Sequence, residues 1–244
     1  MSVTAQGTAP RGRSTLTARI ERLQDHCADT RSLFLALTDG RHLRFQPGQF
    51  ISISIPLGDE TRTRAYSIAS SPEERGSFEI CFNMIAGGRG VGWLFERKVG
   101  DSLELTGPFG TFSMERAPQV EIGLIAEGTA IAPIRPVLRR AIETGGDAPI
   151  HLIYGADRDE HILYRADLDQ AAKRATNFSH EIVIAPAEQL HERLREIANR
   201  RWIAADANRT RQFWICGVGP AVIKLRDLLR GAGYERRAVH YEQW

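Results

Sequence analysis

Six short stretches of this chain hold residue types that could do chemistry together. Arg64-Ala65-Tyr66-Ser67 comes first. An arginine offers a phosphate a rigid fork of donors. Two positions on, Tyr66 points to the same face of a strand, where its ring can lie against another flat ring. Ser67 turns the other way and offers a small hydroxyl to the edge of such a ring. The same four residues also fit an ordinary strand with an exposed arginine. Gly87-Gly88-Arg89-Gly90-Val91 runs straight into a helical stretch. Amides at a helix start attract anions, and glycines let a diphosphate come close; a plain strand–helix turn has the same composition. Gly107-Pro108-Phe109-Gly110 is locally a turn. Glu127-Gly128-Thr129-Ala130-Ile131-Ala132-Pro133 follows an apolar run, and strand–Gly–helix passages hold nucleotide diphosphates in parallel-sheet folds, although this one lacks the G-x-G-x-x-G pattern. Cys216-Gly217-Val218-Gly219-Pro220 ends a second apolar run. Its thiol reads either as a small buried apolar group or as the neighbour of a nicotinamide ring. Tyr241-Glu242-Gln243-Trp244 closes the sequence, with an aromatic directly after a strand.

Two rhythms must position these groups. From Thr15 to Glu115 the runs LTARIERL, SLFLALT, GQFISISIPL, RAYSIAS, GSFEICFNMI and SLELTG alternate and are broken by Gly, Pro and Asp. That pattern predicts a six-stranded antiparallel β-barrel, with one helix near Val91–Lys98. After Pro118 the apolar runs VEIGLIA, PIHLIYG, HEIVIAP and QFWICG alternate with helical periods at Ala132–Thr144, Ile162–Ala172, Glu188–Asn199 and Pro220–Gly231, and AVHYEQW ends the chain. Buried strands alternating with helices predict an α/β doubly wound parallel sheet. The expected organisation is a flexible tail over 1–14, a barrel domain over 15–117 and an α/β domain over 118–244.

Composition narrows the function classes. The 244 residues carry 32 basic and 30 acidic side chains, a net charge of +2, with no basic arm for nucleic acid. The densest basic stretch, Arg193 to Arg211, reads as a solvated helix face or as a docking patch for an acidic protein. Cys27, Cys81 and Cys216 are too few for an iron–sulfur cluster and lack the spacing of a zinc site, so no metal is expected. The absence of a cysteine framework points to a reducing cytoplasm. The first residues are polar, and no apolar run approaches the roughly 20 residues of a membrane span, so no membrane partner is expected. The oligomeric state is open.

The order of the six stretches resembles the ferredoxin–NADP reductase family along nearly the whole length: R-x-Y-S, G-G before a helix, G-P-F-G, G-T-x-I-A-P, C-G-x-G-P, then Glu-x-aromatic. The resemblance implies a flavin-binding barrel, FAD in preference to FMN, and a sheet domain for NAD(P)H. It implies that Arg64 contacts the flavin phosphate, Tyr66 stacks on the ring and Ser67 sits near the hydride-accepting nitrogen. Gly88, Arg89, Gly90 and Val91 bring backbone amides to the diphosphate, and Thr129 lies near both cofactors. Cys216 flanks the nicotinamide, Glu242 is the active-site carboxylate, and Trp244 covers the flavin. Ser67, Cys216 and Glu242 are thus the expected catalytic residues, with Ala65, Asn83, Asp157 and Gly217 joining the cofactor-binding set. Removing Trp244 is expected to tighten nicotinamide binding. The implied activity passes electrons from NAD(P)H to a separate protein such as ferredoxin; a small-molecule acceptor, or a flavin subunit that no longer uses nicotinamide, are the alternatives.

Three positions depart from the family pattern. Val91 removes a hydroxyl from the flavin diphosphate, worth ~1 kcal/mol. Glu127 and Ala130 stand in place of glycines, and a carboxylate at 127 is expected to repel the nicotinamide diphosphate. Asp157 after HLIYG can bond a ribose hydroxyl and opposes a 2′-phosphate, although Arg158 is adjacent. Ala185-Pro186-Ala187 lacks a Ser-Arg pair, which tilts the expectation toward NADH.

Overall fold

The computed structural model describes residues 15–243, so the expected tail over 1–14 and Trp244 lie outside the described residues. Alternation builds the first half. In β3 (Phe50–Leu57), Ile51, Ile53 and Ile55 are fully buried while Phe50, Ser52 and Ser54 are partly exposed. This is the side-to-side period of a strand with one face on a core. The strand joins β1 (Leu16–Cys27), β2 (Thr30–Leu37), β4 (Glu60–Ser67), β5 (Phe78–Asn83) and β6 (Ser102–Phe109) in the order β4-β3-β6-β1-β2-β5, every pairing antiparallel. An isolated bridge, Ile68↔Ile80, ties the residue after β4 to β5 and curls the sheet into a barrel. Its apolar interior holds Ile20, Leu33, Leu35, Ile53, Ile80 and Leu105.

The second half is a five-stranded sheet ordered β11-β10-β7-β8-β9, all parallel, from β7 (Ile122–Glu127), β8 (Ile150–Ala156), β9 (Phe178–Ile184), β10 (Gln212–Gly217) and β11 (Val239–Gln243). Side chains of β7 divide between two cores. Leu124 and Ala126 pack with Ile134 and Val137 of α2 (Ile131–Thr144) and Leu168 of α3 (Arg165–Arg174). Ile125 packs on the other face with Leu190 and Leu194 of α4 (Ala187–Trp202) and Leu225 of α5 (Pro220–Gly231). Helices on both faces of a parallel sheet define the doubly wound arrangement. Chain order reverses between β7 and β10, and the carboxyl ends of those two strands carry Glu127-Gly128-Thr129 and Cys216-Gly217-Val218.

Helix bounds differ from the sequence pattern where backbone geometry intervenes. The helix expected near Val91–Lys98 is α1 (Arg89–Phe95). α3 begins three residues late because Tyr164 takes a left-handed conformation, φ 55°, and Ile162 and Leu163 are drawn into the core instead. The two halves are locked by a row of arginines on α2. Arg135 donates to Glu79 of β5 at 3.0 Å and to Asp167 of α3 at 2.6 Å. Arg139 and Arg140 pair with Glu74 and Glu73 on the barrel side.

Candidate active site

Two clefts open along the seam between barrel and sheet. The first, of about 500 Å³, is lined by Arg64, Ala65, Tyr66, Ser67, Asn83 and Val91, with Thr129 and Ala132 from the sheet domain. The second, of about 210 Å³, is lined by Glu127, Gly128, Thr129, Asp157, Ala187 and Leu190. Asn83, Thr129 and Val218 line both, so the clefts meet at one point. There the Thr129 hydroxyl donates to Asn83 Oδ1 at 3.1 Å, joining β5 to the turn after β7.

The barrel side of the junction fits a large planar ring with a phosphate tail. Ser67 is buried, and among the described residues its hydroxyl has no hydrogen-bond partner. A buried polar group in that state needs a partner from a ligand or from water. Tyr66 is half-buried and meets Phe82 edge-on at 5.7 Å, which fixes its ring plane. Burial pushes its phenol up to about 12, so the ring acts as a neutral surface. Arg64 lines this cleft and also a neighbouring groove with Gly88, Arg89, Gly90 and Val91. Its guanidinium bonds a backbone carbonyl, and no carboxylate pairs with it among the described residues. Its charge is therefore available to a phosphate. Gly88 offers less than its sequence position implied, because its amide donates to the Ile85 carbonyl at 2.8 Å. The amides of Arg89, Gly90 and Val91 open α1 and have no acceptor in their own helix.

Other expected site residues fall differently. Cys216 is 1% exposed in the core beneath α2 and does not line either cleft. Its register partner is Glu242, whose Oε2 is buried with no partner among the described residues. Burial alone pushes the Glu242 carboxyl up to about 7. Gly217 aligns with Gln243 at the end of the same pair of strands. Trp244 lies outside the described residues. Asp157 reaches the second cleft, but its carboxylate accepts from His161 Nδ1 at 2.5 Å. Arg158 sits among Asp29 at 3.2 Å, Asp157 at 3.6 Å and Glu160 at 2.9 Å, so its charge is already offset.

Glu127 does not stand free beside the second cleft. Both carboxylate oxygens lie on His191 Nε2, at 2.9 and 3.0 Å. Sequence pattern gave no hint of this partner, which comes from α4, 64 positions away. Phe82, Ile85 and Val218 of the cleft lining were also missed. The alternation of β5 could have suggested Phe82; Ile85 and Val218 follow strand ends and carry no chemical signature.

A barrel with a ring-and-phosphate cleft, sharing a rim with a cleft at the switch point of a parallel sheet, defines a two-domain flavin- and nicotinamide-dependent oxidoreductase. Residues 17–114 match the model of the oxidoreductase FAD-binding domain, and residues 124–225 that of the oxidoreductase NAD-binding domain. The chain belongs to the ferredoxin–NADP reductase family. It is 29% identical over 240 residues to ferredoxin–NADP reductase B of Sorangium cellulosum, covering 93% of this chain and 96% of that protein. It is 28% identical over 232 residues to the toluate 1,2-dioxygenase electron transfer component of Pseudomonas putida, covering 93% of this chain and 67% of that one. Other curated relatives are longer, and the chain spans 56% of one and 62% of another. Among solved structures, the Amycolatopsis cytochrome P450 reductase GcoB superposes with a TM-score of 0.82 at 22% identity, over 99% of this chain and 73% of that one. No helix among the described residues is long and apolar enough to cross a membrane.

Proposed function

We propose that this protein is an FAD-dependent NAD(P)H oxidoreductase that passes electrons from a nicotinamide cofactor to a separate protein acceptor such as ferredoxin. The observation that carries the reading is the shared rim: Asn83, Thr129 and Val218 border both clefts, so a ring in each meets the other there. Hydride transfer needs van der Waals contact between the two rings, and the protein's part is positioning. When bound, FAD supplies the ability to take two electrons as hydride and release them singly. Residues 15–117 form the FAD-binding domain in this reading and 118–244 the NAD(P)-binding domain. Arg64 holds the flavin phosphate, Ala65 and Tyr66 line the ring, and Gly90 and Val91 face the diphosphate. Ser67 donates its buried hydroxyl to the ring edge. Glu242, whose carboxyl is pushed up to about 7 by burial, serves as the proton reservoir behind Cys216.

The acceptor in this reading is a protein, and Met84, 40% exposed directly after β5, adds an apolar side chain to the surface beside the clefts. Exposed apolar side chains beside a reactive cleft favour docking of another protein surface. The relatives named as electron transfer components support the same role. NADH is preferred over NADPH, since Arg158 is already surrounded by carboxylates and Asp157 opposes a 2′-phosphate. The cytoplasm is the proposed compartment, in keeping with cysteines that form no disulfide among the described residues.

The test is an anaerobic titration of the flavin-loaded protein with NADH and with NADPH, followed by flavin absorbance, and then by addition of oxidised ferredoxin. Bleaching by NADH at lower concentration than NADPH, and reoxidation by ferredoxin, are expected. A flavin band that survives excess of both nucleotides rejects the proposal. Ser67→Ala should slow the bleaching by about tenfold, the value of one lost ring-edge hydrogen bond.

A further inference from the structure

Glu127 is the last residue of β7, directly before Gly128 at φ +53° and Thr129. It lines the second cleft, whereas His191 does not; the histidine reaches it from the first turns of α4. Glu127 is only 16% exposed, and among the described residues no arginine or lysine pairs with it. His191 is its hydrogen-bond partner, with Nε2 placed between both oxygens at 2.9 and 3.0 Å.

We propose that His191 is a positioning residue for nicotinamide dinucleotide binding, holding the Glu127 carboxylate against α4 and away from the cofactor's diphosphate. The inference rests on the nicotinamide-binding role given above to the second cleft. A carboxylate at the carboxyl end of the first parallel strand sits where a dinucleotide diphosphate approaches. Unrestrained, it adds a repelling charge beside the diphosphate at the mouth of the cleft. Tied to an imidazole N–H donor, it is turned aside toward α4. The arrangement lets this chain keep Glu127 where relatives of the resembled pattern carry glycine, and still admit a diphosphate.

The experiment uses the flavin-loaded protein and four variants: His191→Ala, His191→Gln, Glu127→Gln and the His191→Ala/Glu127→Gln double. NAD+ affinity is measured by calorimetry, which needs no hydride transfer, and flavin reduction by NADH is followed in parallel by anaerobic stopped flow. His191→Ala should weaken NAD+ binding by about tenfold, the scale of one uncompensated charge near a diphosphate. The loss should shrink as salt is raised. His191→Gln, which keeps an N–H donor, should retain most of the affinity. The double variant should return to within about twofold of the parent, because the carboxylate that needed restraint is gone. In stopped flow the loss should appear in the saturation constant and not in the limiting rate.

Unchanged NAD+ affinity in His191→Ala overturns the inference, as does a double variant as weak as the single, which would make His191 a packing residue. A parent protein that gives no NAD+ binding overturns it too. If NADH bleaches the parent flavin but the variant pattern is absent, the inference falls and the proposed function stands. If the calorimetric pattern appears but no flavin is ever reduced, the proposed function falls and the inference stands.

Discussion

Glu242→Gln tests the burial of the candidate proton reservoir. The carboxyl is pushed from 4.5 up to about 7 by burial, and its Oε2 has no partner among the described residues. Between those two values the folded protein holds a proton that the unfolded chain has already released. The group's contribution to stability is therefore intact below about pH 4.5 and is lost as pH rises through about 7. A displacement of that size corresponds to at most ~3 kcal/mol, and partial exposure of the side chain reduces it to about 1–3 kcal/mol. Glutamine carries no charge at any of these pH values. Urea unfolding, followed by circular dichroism, should give nearly equal midpoints for parent and variant near pH 4. At about pH 8.5 the variant should be the more stable by about 1–3 kcal/mol. A variant equal to or weaker than the parent at the alkaline pH would refute the claim that the ionised carboxylate is buried without compensation.

Arg135→Met should destabilise the protein by about 3–5 kcal/mol in thermal unfolding, because it leaves Glu79 buried with only the Ser32 and Tyr164 hydroxyls, each at 2.6 Å. Adding Glu79→Gln should recover at least half of that loss, and no recovery would place the cost elsewhere. Gly123→Ala puts a Cβ 2.5 Å from the Phe213 ring and 2.9 Å from that of Trp202, so a loss of about 1–3 kcal/mol is expected in urea titration. A neutral result would mean that the two rings can yield. Iodoacetamide on the native protein should label Cys27 first, since Cys216 is buried and burial holds the Cys81 thiol up at about 12. Peptide mass spectrometry that finds Cys81 or Cys216 modified before Cys27 would contradict the packing described here.

The sequence was most readable where one element decides the outcome. Alternation in Phe50–Leu57 is the barrel strand itself, and the bounds of α5 coincide with the helical period Pro220–Gly231. Arg64, Tyr66 and Ser67 are close in sequence and share one cleft, so their grouping needed only a strand. Features that depend on two elements docking were not readable. Glu127 looked like a bare repelling charge because His191 meets it only after α4 packs on the sheet. Arg135 and Glu79 belong to different domains, and no spacing rule links them. The late start of α3 has a local cause of a different kind: Tyr164 is held left-handed while its hydroxyl is anchored on Glu79 across the seam.

The three arginines of α2 are not equivalent, and the gradient along the helix has a mechanical consequence. Arg135 and Glu79 are 11% and 3% exposed, whereas Arg139 with Glu74 and Arg140 with Glu73 stand in solvent on at least one side. Dissolved ions weaken the outer two contacts and barely touch the inner one. Amide exchange along the seam should therefore respond to ionic strength at Glu73 and Glu74 before it responds at Glu79.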